Sequence, residues 1–386
     1  MSHPLASNTR NRLSKQPDTW RRLLALSHQL LGRHEQAIGI WVELLSYDSP
    51  KPQFHIVRKL IQARVFAEVK EYLEVYDQAN VENQAEIKYW LAQSCLGLGL
   101  IQEARDQLEQ AIAIGPEHVK YWDSLADCLL EQGEWQLALE ALDKSLKINP
   151  KRGSTIFRIG TIYAYHDEFS EALRCFTGAC QISPQNAHYW EMKGEMHLRL
   201  EQMPQAVQAY SRALWYGADP ETMARLAYCH VQLNHIEKGI RYYERVLKHM
   251  PDHYDSLCNL AAVYQSQNRA NIALSLLERA YAVNPHDPIL LNNLAYTLVH
   301  LGRSRKALDY YQAALNLAPN HPLILYNMSV CLAGKGEWQQ AIQVIQELLK
   351  LDPEHSAAWA LLGNVYDELQ KPELAIDCFN RALKLA

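Results

Sequence analysis

The chain has 386 residues, of which 48% are hydrophobic, and it carries a formal net charge of −5. General nucleic-acid binders need a basic stripe that displaces counterions, and this balance argues against that class. The sequence shows no secretory signal and no uninterrupted apolar stretch long enough to cross a membrane. We therefore expect neither secretion nor a transmembrane helix.

The first segment, residues 1–17, is polar and basic, and it shows no hydrophobic periodicity. Its cationic residues are Arg10, Arg12 and Lys15. A segment of this composition buries too little apolar surface to fold alone, so we expect a disordered tail.

From residue 18 onward, two residue ladders recur in one register. The prolines are Pro116, Pro150, Pro184, Pro251, Pro285, Pro319 and Pro353. The small residues are Ala104, Ala138, Ala172, Ala206, Gly239, Ala273, Ala307, Ala341 and Ala375. A period of about 34 residues is the signature of stacked helical hairpins. Eleven units fit it: 18–49, 50–84, 85–118, 119–152, 153–186, 187–219, 220–253, 254–287, 288–321, 322–355 and 356–386.

Each unit contains two apolar patterns with the i, i+3, i+4, i+7 spacing of a helix face, which we name helix A and helix B. A glycine such as Gly99 or Gly133 is expected to end helix A in a left-handed conformation. The ladder proline is expected to end helix B, since it lacks an N–H and disfavours helix in the preceding residue.

The last unit has the fullest pattern, with Trp359-x-x-Leu362-Gly363-x-x-Tyr366 followed by Ala375-x-x-x-Phe379 and Ala382. This pattern resembles the tetratricopeptide repeat (TPR) family, and the resemblance extends over residues 18–386. It implies an all-α fold, a right-handed superhelical solenoid of about eleven TPR hairpins. It also implies a non-enzymatic protein that binds partners in the concave groove lined by helix A.

Two units depart from the pattern. Unit 50–84 has Val69 at the small position and no terminal proline, and we interpret it as a degenerate repeat. Unit 187–219 has Pro204 near the start of helix B. The Gly217–Pro220 turn that follows predicts a slight kink between an N-terminal array, 18–219, and a C-terminal array, 220–386.

The C-terminal groove has an asparagine at one repeat position in three consecutive units, namely Asn259, Asn293 and Asn327. Asn292 and Asn364 occupy other groove positions. The series is similar to the asparagine ladder of the O-GlcNAc transferase TPR domain, which implies that the amides hold the backbone of an extended peptide. An amide both donates and accepts, so it can pair with any peptide unit. The alternative is that these are solvated consensus residues without a role.

The N-terminal groove combines aromatic, acidic and basic side chains. The set is Tyr89, Trp90, Phe157, Tyr165, Asp123, Asp127, Glu191, Glu195, Arg158 and Arg225. Aromatic anchors with a charged rim would suit a hydrophobic segment flanked by basic residues. The alternative is that Trp90 and Phe157 pack between neighbouring repeats.

The sequence contains no phosphate-binding loop, no dinucleotide-binding fingerprint and no zinc-protease motif. We therefore expect no catalytic residue, cofactor or metal. The pairs His230/His235 and His249/His253 lack further ligands. The eight cysteines form no C-x-x-C pair, and buried free thiols in a cytoplasmic protein are the expectation.

We therefore predict an interaction scaffold or chaperone-like adaptor. The main alternative is the substrate-recognition arm of a larger enzyme such as a glycosyltransferase, and an RNA-binding pentatricopeptide-type repeat is a lesser one. Leu383 and Leu385 follow the last helix B, and three explanations stay open: a longer chain, self-association through this end, or a tolerated exposed face.

Overall fold

The computed structural model describes residue 25 and residues 34–45, 51–79 and 82–384. The predicted tail at 1–17 and most of the first helix A lie outside these ranges.

The described ranges contain helices and no strands. The helices, α1 to α21, are His34–Glu43, Phe54–Gln62, Phe66–Gln78, Gln84–Gly97, Ile101–Ile114, Val119–Glu131, Trp135–Ile148, Gly153–Tyr165, Phe169–Ile182, Ala187–Arg199, Met203–Trp215, Pro220–Gln232, Ile236–His249, Tyr254–Ser266, Ala270–Val283, Pro288–His300, Ser304–Leu317, Pro322–Gly334, Trp338–Leu351, Ser356–Glu368 and Pro372–Ala382. From α2 onward, even-numbered helices are the predicted A helices and odd-numbered helices are the predicted B helices. The all-α repeat architecture expected from the sequence is confirmed.

Turn residues end the helices where the ladders predict. Gly99 and Gly133 follow A helices with φ of 75° and 79°, the left-handed conformation that glycine adopts without strain. Leu100 N–H then donates to the Cys95 carbonyl at 2.9 Å, which satisfies an orphan acceptor at the helix end. Each B helix that precedes a ladder proline ends two residues before it, as α5 does at Ile114.

Pro204 lies in the first turn of α11, where a missing N–H is tolerated, so helix B of that unit forms normally. The degenerate unit also folds as a hairpin, formed by α2 and α3. Its core includes Ile56, Leu60 and Val69, all without solvent exposure.

The described residues divide into two compact units, with the boundary between Pro184 and Gln185. The Gly217–Pro220 turn lies inside the second unit, where α11 packs directly against α12. The predicted division into arrays at 219/220 stays a prediction.

Within each unit, consecutive helices form antiparallel pairs. A helices of neighbouring hairpins also contact one another, as α14 contacts α16 and α16 contacts α18. A helices therefore lie side by side, and equivalent positions on them form stripes along one surface.

Candidate functional site

The surface that stands out is formed by the A helices α14, α16 and α18 of the second unit. Ile289, Asn293 and Tyr296 on α16 have i, i+4, i+7 spacing and share one helix face. Leu323, Asn327 and Val330 repeat the same arrangement on α18, and Asn259 takes the asparagine position on α14. We call these seven residues the neutral face.

On α16 and α18 the neutral face exposes apolar side chains, and these two helices carry no Asp, Glu, Lys or Arg. Ile289, Tyr296, Leu323 and Val330 are between 40% and 49% exposed. The only Asp, Glu, Lys or Arg in these three 13-residue helices is Asp255, at the start of α14. Exposed helix surfaces normally carry charges, and a contiguous apolar surface marks an interaction site.

Hydrogen bonds link the asparagine amides between helices. Asn327 Nδ2 donates to Asn292 Oδ1 at 3.0 Å, and Asn292 Nδ2 donates to Asn293 Oδ1 at 3.3 Å. Asn292 is only 2% exposed, so it supports the ladder from beneath rather than lining the groove. Among the described residues, the Nδ2 of Asn293 and the Oδ1 of Asn327 have no partner.

A second set of bonds ties α14 to α16. Gln265 Nε2 donates to the Asn293 backbone carbonyl at 3.1 Å and to Thr297 Oγ1 at 2.6 Å. The spacing of the ladder is therefore held by side-chain contacts between helices. Asn364 lies exposed on α20, two units beyond Asn293.

In the first unit, arginines pair with the predicted groove carboxylates. Asp123 accepts from Arg152 at 2.6 Å and from Ser145 at 2.7 Å, and Arg158 forms an ion pair with Asp127. Partial desolvation nevertheless raises the pKa of Asp127, since it outweighs the attraction of Arg158. The structure therefore offers fewer unpaired carboxylates for a basic ligand than the sequence suggests.

The predicted aromatic anchors differ in exposure. Trp90 is half-buried against the core, and the Phe157 ring lies 5.2 Å from that of Phe176. Tyr89 contacts Trp90 edge-on, with ring centroids 5.0 Å apart. Tyr165 is 84% exposed, and its ring contacts that of His166 edge-on, with centroids 5.3 Å apart.

The remaining predicted groove residues, Glu191, Glu195 and Arg225, lie in the second unit. Glu195 accepts hydrogen bonds from Arg225 at 3.0 Å and from the Tyr210 hydroxyl at 3.1 Å. Glu191 accepts from Thr222 Oγ1 at 3.0 Å. These contacts join α10 to α11 and α12, so the three polar residues stabilise packing between hairpins.

The described ranges were also compared with what a metal site, a reactive cysteine or a membrane-spanning helix requires. No three His, Cys, Asp or Glu side chains there are arranged to hold a metal ion. All eight cysteines are free, and burial raises the pKa of Cys95 to about 11 and that of Cys128 to about 12. Every helix in the same ranges is too short or too polar to cross a bilayer.

Four residues of the neutral face escaped the sequence-based prediction: Ile289, Tyr296, Leu323 and Val330. A signal was available, because residues 228, 262, 296, 330 and 364 share one repeat position at a spacing of 34. Asn364 takes this position, which the sequence places in the groove, but the apolar residues at the same position were not selected as binding residues.

Comparison with known proteins supports the repeat assignment. Models of the tetratricopeptide repeat match residues 89–152, 157–221, 220–252, 258–322, 301–365 and 356–386. Among solved structures, the APC/C hetero-tetramer Cut9–Hcn1 is similar with a TM-score of 0.50 and 16% identity, covering 90% of this chain and 76% of that one. This likeness concerns the fold alone.

Two curated relatives are similar over part of the chain. BBSome complex member BBS4 of Bos taurus is 21% identical over 178 residues, which are 46% of this chain and 34% of that protein. Tetratricopeptide repeat-containing protein trd-1 of Caenorhabditis elegans is 22% identical over 182 residues, which are 45% of this chain and 22% of that protein. The chain thus covers about a third or less of these relatives' length.

Proposed function

Because this chain belongs to the tetratricopeptide repeat family, we propose that it is a non-enzymatic interaction scaffold or adaptor whose neutral face binds a segment of a partner protein. The observation that carries this proposal is the exposed, almost charge-free surface of α14, α16 and α18. Apolar side chains supply contact area there, and the available amide groups of Asn293 and Asn327 supply hydrogen bonds to a peptide backbone.

The relatives support the same class. BBS4 is by name a member of the BBSome complex, and an assembly role is the corresponding proposal for this chain. The buried free thiols fit a reducing compartment, and we place the protein in the cytoplasm on that ground.

A display experiment tests the proposal. Random 16-residue peptides are selected on the full chain, and the affinity of selected peptides is measured for wild type and for the double variant Asn293→Ala, Asn327→Ala. Each net hydrogen bond contributes about 1 kcal/mol, so the double variant should lose about 2 kcal/mol, near 25-fold in Kd.

Asn316→Ala is the matched control, because Asn316 is an exposed asparagine on a B helix. It should leave the affinities unchanged, and circular dichroism should show that all variants are folded. Selected peptides that bind the double variant as tightly as wild type would exclude the neutral face as the binding surface.

The outer face of α21 carries a second proposal, self-association. Ile376 and Leu383 are 59% and 67% exposed, whereas Leu274 and Leu349 at the same two repeat positions are each 8% exposed beneath a neighbouring hairpin. Ile376→Glu with Leu383→Glu should abolish a dimer seen by light scattering. A strict monomer at high wild-type concentration contradicts this proposal.

The substrate-recognition arm of a larger enzyme is the alternative assignment, since a neighbouring domain would also cover the outer face of α21. Coding sequence for a catalytic domain contiguous with this chain would decide in its favour.

A further inference from the structure

The spacing of the neutral face determines which backbone conformation of a bound segment fits it. Hydrogen bonds join α14 to α16 through Gln265 and join α16 to α18 through Asn327, so these three A helices lie in direct contact. Axes of packed helices are about 8–10 Å apart. A segment that crosses the three helices therefore meets equivalent side chains at intervals of about that length.

A polyproline II segment repeats every three residues and rises about 3.1 Å per residue, so it presents the same face about every 9.3 Å. A β-strand presents the same face every second residue, about every 7 Å. This repeat is shorter than the spacing of the helices, so a strand aligned with one helix is out of register with the next. Of these two extended conformations, polyproline II matches the spacing of the helices.

An α-helical segment is the other option, since its positions i and i+7 lie about 10.5 Å apart. Its backbone N–H and C=O groups, however, are bonded within the helix and cannot use the amides of Asn293 and Asn327. A polyproline II backbone has no internal hydrogen bonds, and its carbonyl and N–H groups are open to such partners.

The two available amide atoms have complementary roles. The Asn292 side chain bonds with Asn293 Oδ1 and with Asn327 Nδ2. These two bonds leave Asn293 Nδ2 as a donor and Asn327 Oδ1 as an acceptor for a ligand. A peptide backbone provides carbonyls for the first and N–H groups, at residues other than proline, for the second. Exposed Tyr296 beside these amides supplies an aromatic ring of the kind that lines grooves for proline-rich segments.

The charge pattern specifies the side chains of the ligand. The helices α16 and α18 carry no Asp, Glu, Lys or Arg, so a charged ligand side chain would be desolvated there without a partner. On α14, the exposed Asp255 takes the repeat position of Ile289 and Leu323 and is the one charged residue of the three helices. Ile289, Leu323 and Val330 instead offer apolar contacts.

Building on the proposed function, we infer that the neutral face recognises an uncharged polyproline II segment of a partner protein with an apolar residue at every third position. The apolar contacts lie on α16 and α18, one step of three residues apart, and a second step reaches Asn259 on α14, so the span is about seven residues.

Three labelled, uncharged 12-residue peptides of one shared Pro-containing composition test this inference by fluorescence anisotropy on the full chain. Their leucines lie at every third residue, at every second residue, or at i, i+3, i+4 and i+7. The period-three peptide should bind at least tenfold more tightly than the other two. Asn293→Ala with Asn327→Ala should weaken it about 25-fold, at about fivefold per amide, whereas Asn316→Ala should not.

Tyr296→Ala should also weaken the period-three peptide, and its matched control is Tyr281→Ala on a B helix. The inference is wrong if either of the other two peptides binds as tightly as the period-three peptide or more tightly. It is also wrong if the asparagine substitutions leave the affinity for the period-three peptide unchanged.

The display selection separates this inference from the proposed function. Selected peptides that need Asn293 and Asn327 but lack a three-residue apolar period would leave the proposed function standing and remove the inference. Failure of every peptide to depend on the neutral face would remove both.

Discussion

The close approach of helix A to helix B at Gly194 predicts that alanine at this position destabilises the protein. A Cβ atom there would lie 2.7 Å from two ring atoms of Tyr210 and 3.1 Å from a third. The Tyr210 side chain is fully buried, and its hydroxyl donates to Glu195 at 3.1 Å. The ring is therefore held at both ends and cannot move aside freely.

Two opposing effects determine how much Gly194→Ala changes the free energy of unfolding. Overpacking a well-packed core costs about 1–3 kcal/mol, whereas replacing glycine by alanine inside a helix gains up to about 1 kcal/mol. Because the ring is anchored, we expect a penalty in the upper part of that range and a net loss of about 1–2 kcal/mol. Gly334→Ala is the matched control, since nothing lies within 4 Å of a Cβ atom built there. It should be neutral or gain up to about 1 kcal/mol.

Urea unfolding followed by circular dichroism measures the effect. Repeat arrays depart from two-state unfolding, so midpoints and slopes are compared between variants. In a Tyr210→Phe background the ring loses its anchor, and the penalty of Gly194→Ala should shrink, which a double-mutant cycle detects. A Gly194→Ala midpoint at or above that of wild type would refute the steric argument, and a penalty unchanged in the Phe background would refute the anchoring argument.

Three further predictions concern a helix cap, a histidine and the thiols. Asp219→Ala should cost about 1 kcal/mol in urea unfolding, because the carboxylate accepts from the Thr222 N–H at the start of α12, and Asp219→Asn should retain most of that stability. Burial lowers the pKa of His230 below 6.5, so the folded state binds fewer protons than the unfolded chain. Stability should be full above pH 6.5 and fall as the pH drops below it. The loss in melting temperature between about pH 7.5 and pH 5.5 should shrink in His230→Phe, and an equal loss in both proteins would contradict this assignment. Cys95 and Cys128 should resist Ellman's reagent at about pH 8 until urea unfolds the chain, because burial raises their pKa values to about 11 and 12. Rapid labelling of either cysteine in the folded protein would show that these sites open locally.

Much of the fold was predictable because its determinants are local. The positive φ of Gly99 and the end of α5 two residues before Pro116 follow from the chemistry of those residues themselves. The hairpin in unit 50–84 formed despite Val69, since its two apolar helix faces suffice for packing.

The candidate site was predictable only in part. The asparagine series was visible as a 34-residue ladder, but the burial of Asn292 and the exposure of Tyr296 were not. Both residues are compatible with the same helix pattern, and their environment depends on how α16 meets its neighbours.

The sequence by itself determined the repeating hairpin, because a 34-residue hydrophobic period and its turn residues act within one unit. Only the tertiary structure decided which polar groups stay available. Asp127 is neutralised by Arg158, 31 residues away, and Asn327 bonds with Asn292, 35 residues away. Such partners meet only when neighbouring A helices pack side by side, so their geometry decides which groove residues remain available to a ligand.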